Sequence, residues 1–332
     1  MPLVRRRDVL KIASVAAVAV AFQPTTAFAG ILDRLFSPAA RLTPAITPND
    51  EFYVTSYRSP PAIRLDSWQL SITGLIERPF TLTYEQLLAR PVVSELVTLE
   101  CVGNEVGGEA ISTAQWEGLP LKMVLEEAGV LAQAVDVVFH SADGYSDSLR
   151  LDRALRGDIL IAHRMNGIPL PQGHGFPARI IVPGHYGMKS VQWLTEIEVV
   201  DQDYLGYYQK KGWTDDATVK TMSRIDVPGH GSSLRGTKHV IQGLAFAGIR
   251  GIQQVAVSAD EGNMWKSAML DRPLSPYAWR FWKLEWEVPK PGRYTLVVRA
   301  TDGTGRVQSS DEREPAPDGA AGLHQVTVTV ER

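Results

Sequence analysis

Three observations predict a two-domain chain, an α+β domain followed by an all-β sandwich. Up to residue 225, short helix signals and strand signals mix without a regular βαβ rhythm. From residue 239 onward the pattern changes to short strands separated by turn residues. Between them, residues 226–238 are rich in Gly, Pro and Ser and mark the boundary. A length of 332 residues agrees, since single hydrophobic cores stop growing at roughly 250–300 residues.

The first 29 residues are expected to be a targeting segment. Arg5-Arg6-Arg7 precede an apolar stretch over 12–22 that is too short to span a bilayer comfortably, and Ala27-Phe28-Ala29 forms an A-x-A cleavage site. The run Arg6-Arg7-x-x-Leu10-Lys11 is similar to the twin-arginine export motif, a route for proteins that are already folded. The mature chain is then expected to begin at Gly30 and to be periplasmic. An ordinary secretory signal and an uncleaved anchor are the alternatives. Loss of this segment removes four basic and one acidic residue, taking the net charge from −3 to −6. That charge disfavours nucleic acid as a partner.

The elements follow in order. Residues 52–57 are aromatic and β-prone, and 68–74 alternate as a half-buried strand. Thr83 caps a short helix over 83–88, with Leu87 and Leu88 expected inward. The strand 92–102 carries Cys101. A helix over 120–128 starts at Pro120 and stops at Gly129. Strand 135–140 ends in the loop Ser141-Ala142-Asp143-Gly144-Tyr145. Strand 159–165 turns at Asn166-Gly167. Strands 180–182 and 190–200 flank the Gly-bounded loop 183–189. In the second domain, strands over 239–246, 252–258, 265–269, 281–288, 294–300 and 325–330 have the spacing of an immunoglobulin-like sandwich.

Cys101, the one cysteine of the chain, closes the apolar run 96–99 and opens a loop at Gly103-Asn104. A thiol there serves as nucleophile, as soft-metal ligand, or as a small buried hydrophobe. One cysteine forms no internal disulfide and no C-x-x-C-H haem attachment, so a redox enzyme of this sequence needs an outside electron acceptor. His174, Arg179 and Lys189 are candidate anion binders, Arg by its planar fork and Lys as a point charge. There is no H-E-x-x-H and no thiol set for zinc. Composition and spacing lead to a thiolate beside anion-binding loops.

The ordered motifs T-L-E-C-V-G-N (98–104), A-I-S-T-A-Q-W-E-G-L-P-L (110–121), M-N-G-I-P-L-P-x-x-H-G-F-P-A-R-I-I-V-P-G (165–184) and K-S-V-Q-W-L (189–194) resemble the sulfite oxidase family of molybdenum enzymes. Trp265, Tyr277-Ala278-Trp279-Arg280 and Arg299-Ala300-Thr301-Asp302-Gly303 resemble that family's dimerisation domain. The resemblance implies an α+β molybdopterin-binding domain over 30–225 and an immunoglobulin-like dimerisation domain over 226–332. It implies molybdenum and one molybdopterin as cofactor, with Cys101 as the protein ligand of the metal. It places the pterin and its phosphate against Tyr53, Val54, Thr55, Ser56, Tyr57, Asp143, His174, Arg179, Lys189, Ser190, Val191 and Gln192. Tyr57, His185 and Tyr186 join Cys101 as candidate catalytic residues.

Where the family holds sulfite with arginines, this sequence has Thr55 and, beside Glu105, Val106; Tyr57 stands for a histidine. Tyr207 and Tyr208 are candidates for the family's pocket tyrosine. A pocket without those cations is poor for a dianion, so a neutral or less charged substrate is expected, unless Arg58 or Arg313 supplies the charge. The leading expectation is an oxidoreductase acting on a small molecule, delivering electrons to cytochrome c or a membrane redox partner, and working as a homodimer. The alternatives are a reductase of S- or N-oxides, and an exported immunoglobulin-like binding protein with a non-catalytic first domain.

Overall fold

The structure, a computed structural model, describes residues 42–331. The targeting segment expected at 1–29 lies outside the described residues. Among those described, no helix is long and apolar enough to cross a membrane.

The first half is built on two sheets. One runs Phe80–Thr83, Gln69–Gly74, Leu194–Val200, Asp136–Ser141, Ser146–Arg150. Its Gln69–Gly74 and Leu194–Val200 strands are parallel and the other pairs antiparallel. The second runs Val93–Glu100, Ile111–Pro120, Leu160–Met165, Ile168–Pro169, with Arg179–Ile181 also on Leu160–Met165. Among the described residues, three short α-helices accompany them, Tyr84–Leu88, Leu121–Ala128 and Leu151–Ala154. Thr83 caps the first by a reciprocal capping box with Gln86. Leu87 is buried but Leu88 is 43% exposed, because adjacent helical residues point about 100° apart and a five-residue helix offers one inward stripe. Gly129 ends the second helix at φ 72°.

Trp68, Leu70, Ile72, Leu87, Leu125 and Phe139 belong to one core, between the first sheet and the helices. Phe52, Leu99 and Trp116 belong to another, on the second sheet. The strand before Cys101 is therefore fixed by burial of Val97 and Leu99, each at most 1% exposed.

In the second half, Met222–Val227, Lys238–Phe246, Arg280–Glu287 and Met269–Leu270 form one sheet. Ser233–Arg235, Gln325–Glu331, Gly292–Asp302, Ile252–Ser258 and Lys266–Ser267 form the other. Ile241, Trp282, Val255, Leu296 and Val328, drawn from both sheets, share one core. Two strands, Met222–Val227 and Ser233–Arg235, enter the stretch read as a linker. A fourth core joins the halves: Val102 and Met188 of the first pack with Phe246 and Trp279 of the second.

Candidate active site

The Val93–Glu100 strand pairs antiparallel with Ile111–Pro120, the register ending at Glu100 against Ile111. The Cys101 amide still donates to Ala110 O at 2.9 Å, and the Asn104 amide donates back to Cys101 O at 2.9 Å, closing a turn. The Asn104 side chain locks it, donating to Glu100 Oε1 at 3.0 Å and accepting from the Ala110 amide at 2.9 Å. Cys101 is left half-buried on the wall of a cavity of about 190 Å³. One water needs roughly 10–15 Å³ of such volume, so the space suits a much larger guest.

Phe52 anchors one wall, its ring 5.6 Å from Trp116 and 5.4 Å from Tyr53. Gly187 lies where a Cβ would come within 2.6 Å of the Tyr53 hydroxyl, so only glycine lets that hydroxyl approach. Burial, then the proximity of Cys101, raises the Tyr53 pKa, against the pull of Arg179. Arg179 donates to His174 O and Ser190 O, both at 3.0 Å, and lies 5.1 Å over the Trp116 ring. It is 3% exposed, no carboxylate of the described residues pairs with it, and its Nε is buried without a partner. Burial lowers its pKa only to about 10, so it stays charged at neutral pH.

Asp143 and Ser190-Val191-Gln192 also line the cavity. Asp143 Oδ1 accepts from the Tyr145 amide at 2.9 Å, while Oδ2 is buried and unpartnered. An aromatic wall completes the cavity. Tyr57, Tyr145, Tyr208 and Trp213 line it, with Tyr207 behind, 4.4 Å from Tyr57 and 5.2 Å from Tyr208. Arg58 donates to the Tyr57 hydroxyl at 3.2 Å and is exposed outside the lining.

Of the expected site residues, the structure gathers Tyr53, Thr55, Ser56, Tyr57, Cys101, Asp143, Arg179, Ser190, Val191 and Gln192 around this one cavity. Val54 points outward at 56% exposure. His174 sits behind Arg179: its Nε2 donates to Asn49 O at 2.7 Å and its Nδ1 is buried without a partner.

Three expectations are corrected. Lys189 is no anion anchor, because its Nζ donates to Asp147 Oδ1 at 2.9 Å, Asp215 Oδ1 at 2.8 Å and Ser148 O at 3.0 Å. His185 and Tyr186 are not in the cavity lining. Tyr186 is buried in the core between the halves, its hydroxyl accepting from the Lys220 amide at 3.2 Å. His185 Nδ1 turns to Pro183 O at 3.3 Å, and burial takes its pKa down to about 4. Glu105 and Val106 are also absent from the lining, and the Val106 side chain lies beside Gly322 instead. Tyr145 and Trp193, which stand in a loop and a motif read from the sequence but were given no role, take part in the lining with Met188 and Trp213. Trp213 lies outside every motif, and no local signal marks it.

The residues present fit a molybdopterin. Arg179 Nε, Asp143 Oδ2 and His174 Nδ1 are buried polar atoms lacking partners in or directly behind the cavity lining, the first suited to a phosphate and the carboxylate oxygen to a hydrogen-bond donor of a bound group. Among the described residues no three His, Cys, Asp or Glu side chains gather to hold a metal ion. The described side chains therefore give a metal on Cys101 no three-ligand protein set.

Comparison with known proteins agrees. Residues 57–208 match the family described as "Oxidoreductase molybdopterin binding domain", and residues 214–314 match the "Mo-co oxidoreductase dimerisation domain". Sulfite oxidase of Gallus gallus is 30% identical over 313 residues, covering 79% of this chain and 68% of that protein. Mitochondrial sulfite oxidase of Homo sapiens is 32% identical over 311 residues, and this chain spans 57% of its length. The NADH nitrate reductase of Petunia hybrida is 30% identical over 327 residues, 36% of its length. In structure, the sulfane dehydrogenase SoxCD from Paracoccus pantotrophus shares the fold at a TM-score of 0.78, with 23% identity and 97% of each chain covered. The class is thus a molybdopterin-binding one. The chain belongs to the sulfite oxidase family.

Proposed function

We propose that the chain is a molybdenum-dependent oxidoreductase that acts on a small molecule and passes electrons to an external acceptor such as cytochrome c. One observation carries the reading: a lone thiol and an unpaired, buried guanidinium line the same cavity. Cys101 would hold the metal, a soft donor for a thiophilic ion. Arg179 would hold the cofactor's phosphate through its free Nε. Ser190, Val191, Gln192 and the 53–57 segment would seat the pterin. When bound, the cofactor supplies the two-electron chemistry. The chain contributes orientation by the aromatic wall and exclusion of water from a largely apolar space.

Charge sets the substrate. Among the described residues, Arg179 is the sole Lys, Arg or His of the lining, and Asp143 the sole carboxylate. Once Arg179 faces a phosphate, no lining cation remains for a dianion, and tyrosine and tryptophan faces dominate. An uncharged substrate therefore suits the cavity better than sulfite.

We further read the first half, over 30–225, as the α+β catalytic domain. The second, over 226–332, is read as an immunoglobulin-like sandwich that pairs in a homodimer, and the Arg6-Arg7 segment as directing export to the periplasm. The test is molybdenum analysis together with a screen of small sulfur and nitrogen compounds on cofactor-loaded protein, with cytochrome c as acceptor. Stoichiometric molybdenum and turnover that disappears in Cys101→Ser support the reading. Protein from a molybdenum-replete host that holds no molybdenum overturns it.

A further inference from the structure

We infer that the two-sheet sandwich that begins with the Met222–Val227 strand positions the metal-binding thiol, gripping the Cys101 strand and loop from both sides. The inference rests on the assignment of Cys101 as metal ligand. Ahead of the cysteine, the segment 275–279 runs along the free edge of the Val93–Glu100 strand. The Ser275 hydroxyl donates to Leu96 O, the Thr98 amide donates to Tyr277 O at 3.0 Å, and the Trp279 amide donates to Thr98 Oγ1 at 2.8 Å. These contacts stand where a further strand would pair, so the edge is held rather than open.

Behind the cysteine, the loop 103–110 is clamped in the same way. Arg224, 8% exposed, donates from Nη1 to Gly108 O at 2.7 Å. Its other nitrogens are committed, Nε to Asp226 Oδ1 at 2.7 Å and Nη2 to Thr43 Oγ1 at 2.6 Å, so the guanidinium cannot drift. Gly107 has φ +77°, and a Cβ there would stand 2.3 Å from His324 Cδ2. The imidazole therefore fills the space a side chain would take. His324 Nδ1 accepts from the Ile225 amide at 3.0 Å. Burial, then the charge of Arg224, takes its pKa down to about 4, so the ring is neutral and fixed in one tautomer at working pH. Cys101 thus sits between two sets of contacts, each supplied from more than a hundred residues away.

Outer partners that orient a metal ligand commonly change metal affinity by about 10–100-fold when removed. Arg224, His324 and Ser275 are positioning residues in this sense. They lie outside the cavity lining and act on the thiol through the backbone that carries it.

The test uses full-length, cofactor-loaded protein and the variants Arg224→Gln, Arg224→Lys and Ser275→Ala. Molybdenum retention on dialysis and the Mo(V) electron paramagnetic resonance spectrum are read beside far-ultraviolet circular dichroism and light scattering. Arg224→Gln is expected to lose molybdenum roughly tenfold faster and to shift the Mo(V) spectrum, with partial recovery in Arg224→Lys. Should Arg224→Gln fail to fold, Ser275→Ala, which deletes one hydroxyl, carries the same prediction with a smaller shift. Folded variants with wild-type retention and an unchanged spectrum overturn the inference while leaving the metal assignment intact. A Cys101→Ser control with wild-type molybdenum retention and an unchanged Mo(V) spectrum overturns the assignment itself.

Discussion

Replacement of Lys189 by methionine separates a structural cation from a cofactor ligand. Lys189 is 2% exposed and its three Nζ donors go to Asp147, Asp215 and Ser148 O. Asp147 is wholly buried, and its remaining donors are the Tyr145 hydroxyl at 2.9 Å, Gln209 Nε2 at 3.2 Å and the Ser148 amide at 2.8 Å. Lys189→Met leaves that carboxylate without a counter-charge, which costs about 3–5 kcal/mol for a buried pair broken on one side. At about 2–4 °C per kcal/mol for a domain of 150–250 residues, the apparent Tm falls by roughly 10 °C. The deficit depends on pH with a definite sign. Burial pushes the Asp147 carboxyl above its ordinary range, against the pull of Lys189. Loss of the lysine pushes it further. A carboxyl with a raised folded-state pKa favours the folded state while protonated and loses that advantage as pH rises through the folded value. The gap between variant and wild type is therefore smaller at pH 5 than at pH 8. The assay is thermal unfolding of cofactor-free protein by circular dichroism at both values. A midpoint within 2 °C of wild type, or a gap equal at the two pH values, would refute this account of Lys189. A phosphate anchor would instead cost cofactor and leave the cofactor-free protein nearly unchanged.

Arg179→Met should fold, since its guanidinium bonds only two backbone carbonyls, but should lose molybdopterin on dialysis; full cofactor content by pterin fluorescence contradicts the anchor role. Sulfite should be a poor substrate, with kcat/KM at least roughly tenfold below that of the best uncharged compound, because binding one dianion without paired cations forfeits over 1 kcal/mol; a low-micromolar sulfite KM with efficient cytochrome c reduction contradicts the charge argument. The second half should pair two chains at micromolar concentration over an interface of about 1,600 Å² in total; light scattering that reports a monomer contradicts the pairing.

Much of the frame was legible because its signals are local. The Thr83 cap, the Gly129 stop and the apolar run before Cys101 are each read within a few residues. The Ile111–Pro120 strand was not, because its first four residues are buried on both faces and no alternation marks them. Ser146–Arg150 reads as polar loop, yet Asp147 and Ser148 are buried there, made tolerable by Lys189 some forty residues on. The same distance hid the role of Lys189: a basic residue beside Ser190 looks like a phosphate ligand until its partners are seen. His185 and Tyr186 failed for a related reason, since a place in a Gly-bounded loop does not reveal that these two side chains turn from the cavity while Met188 of the same loop faces it. Cys101 and Arg179 stand in long ordered motifs, the 53–57 segment follows from the resemblance those motifs carry, and the fold brings Cys101, Arg179, Tyr53, Thr55, Ser56 and Tyr57 to one cavity.

The measurement that bears most directly on the site is molybdenum K-edge X-ray absorption of loaded wild-type protein and Cys101→Ser. The thiolate assignment predicts that the variant, where it retains metal at all, loses one sulfur neighbour from the molybdenum shell and nearly all turnover. An unchanged sulfur shell with wild-type turnover in Cys101→Ser would contradict it.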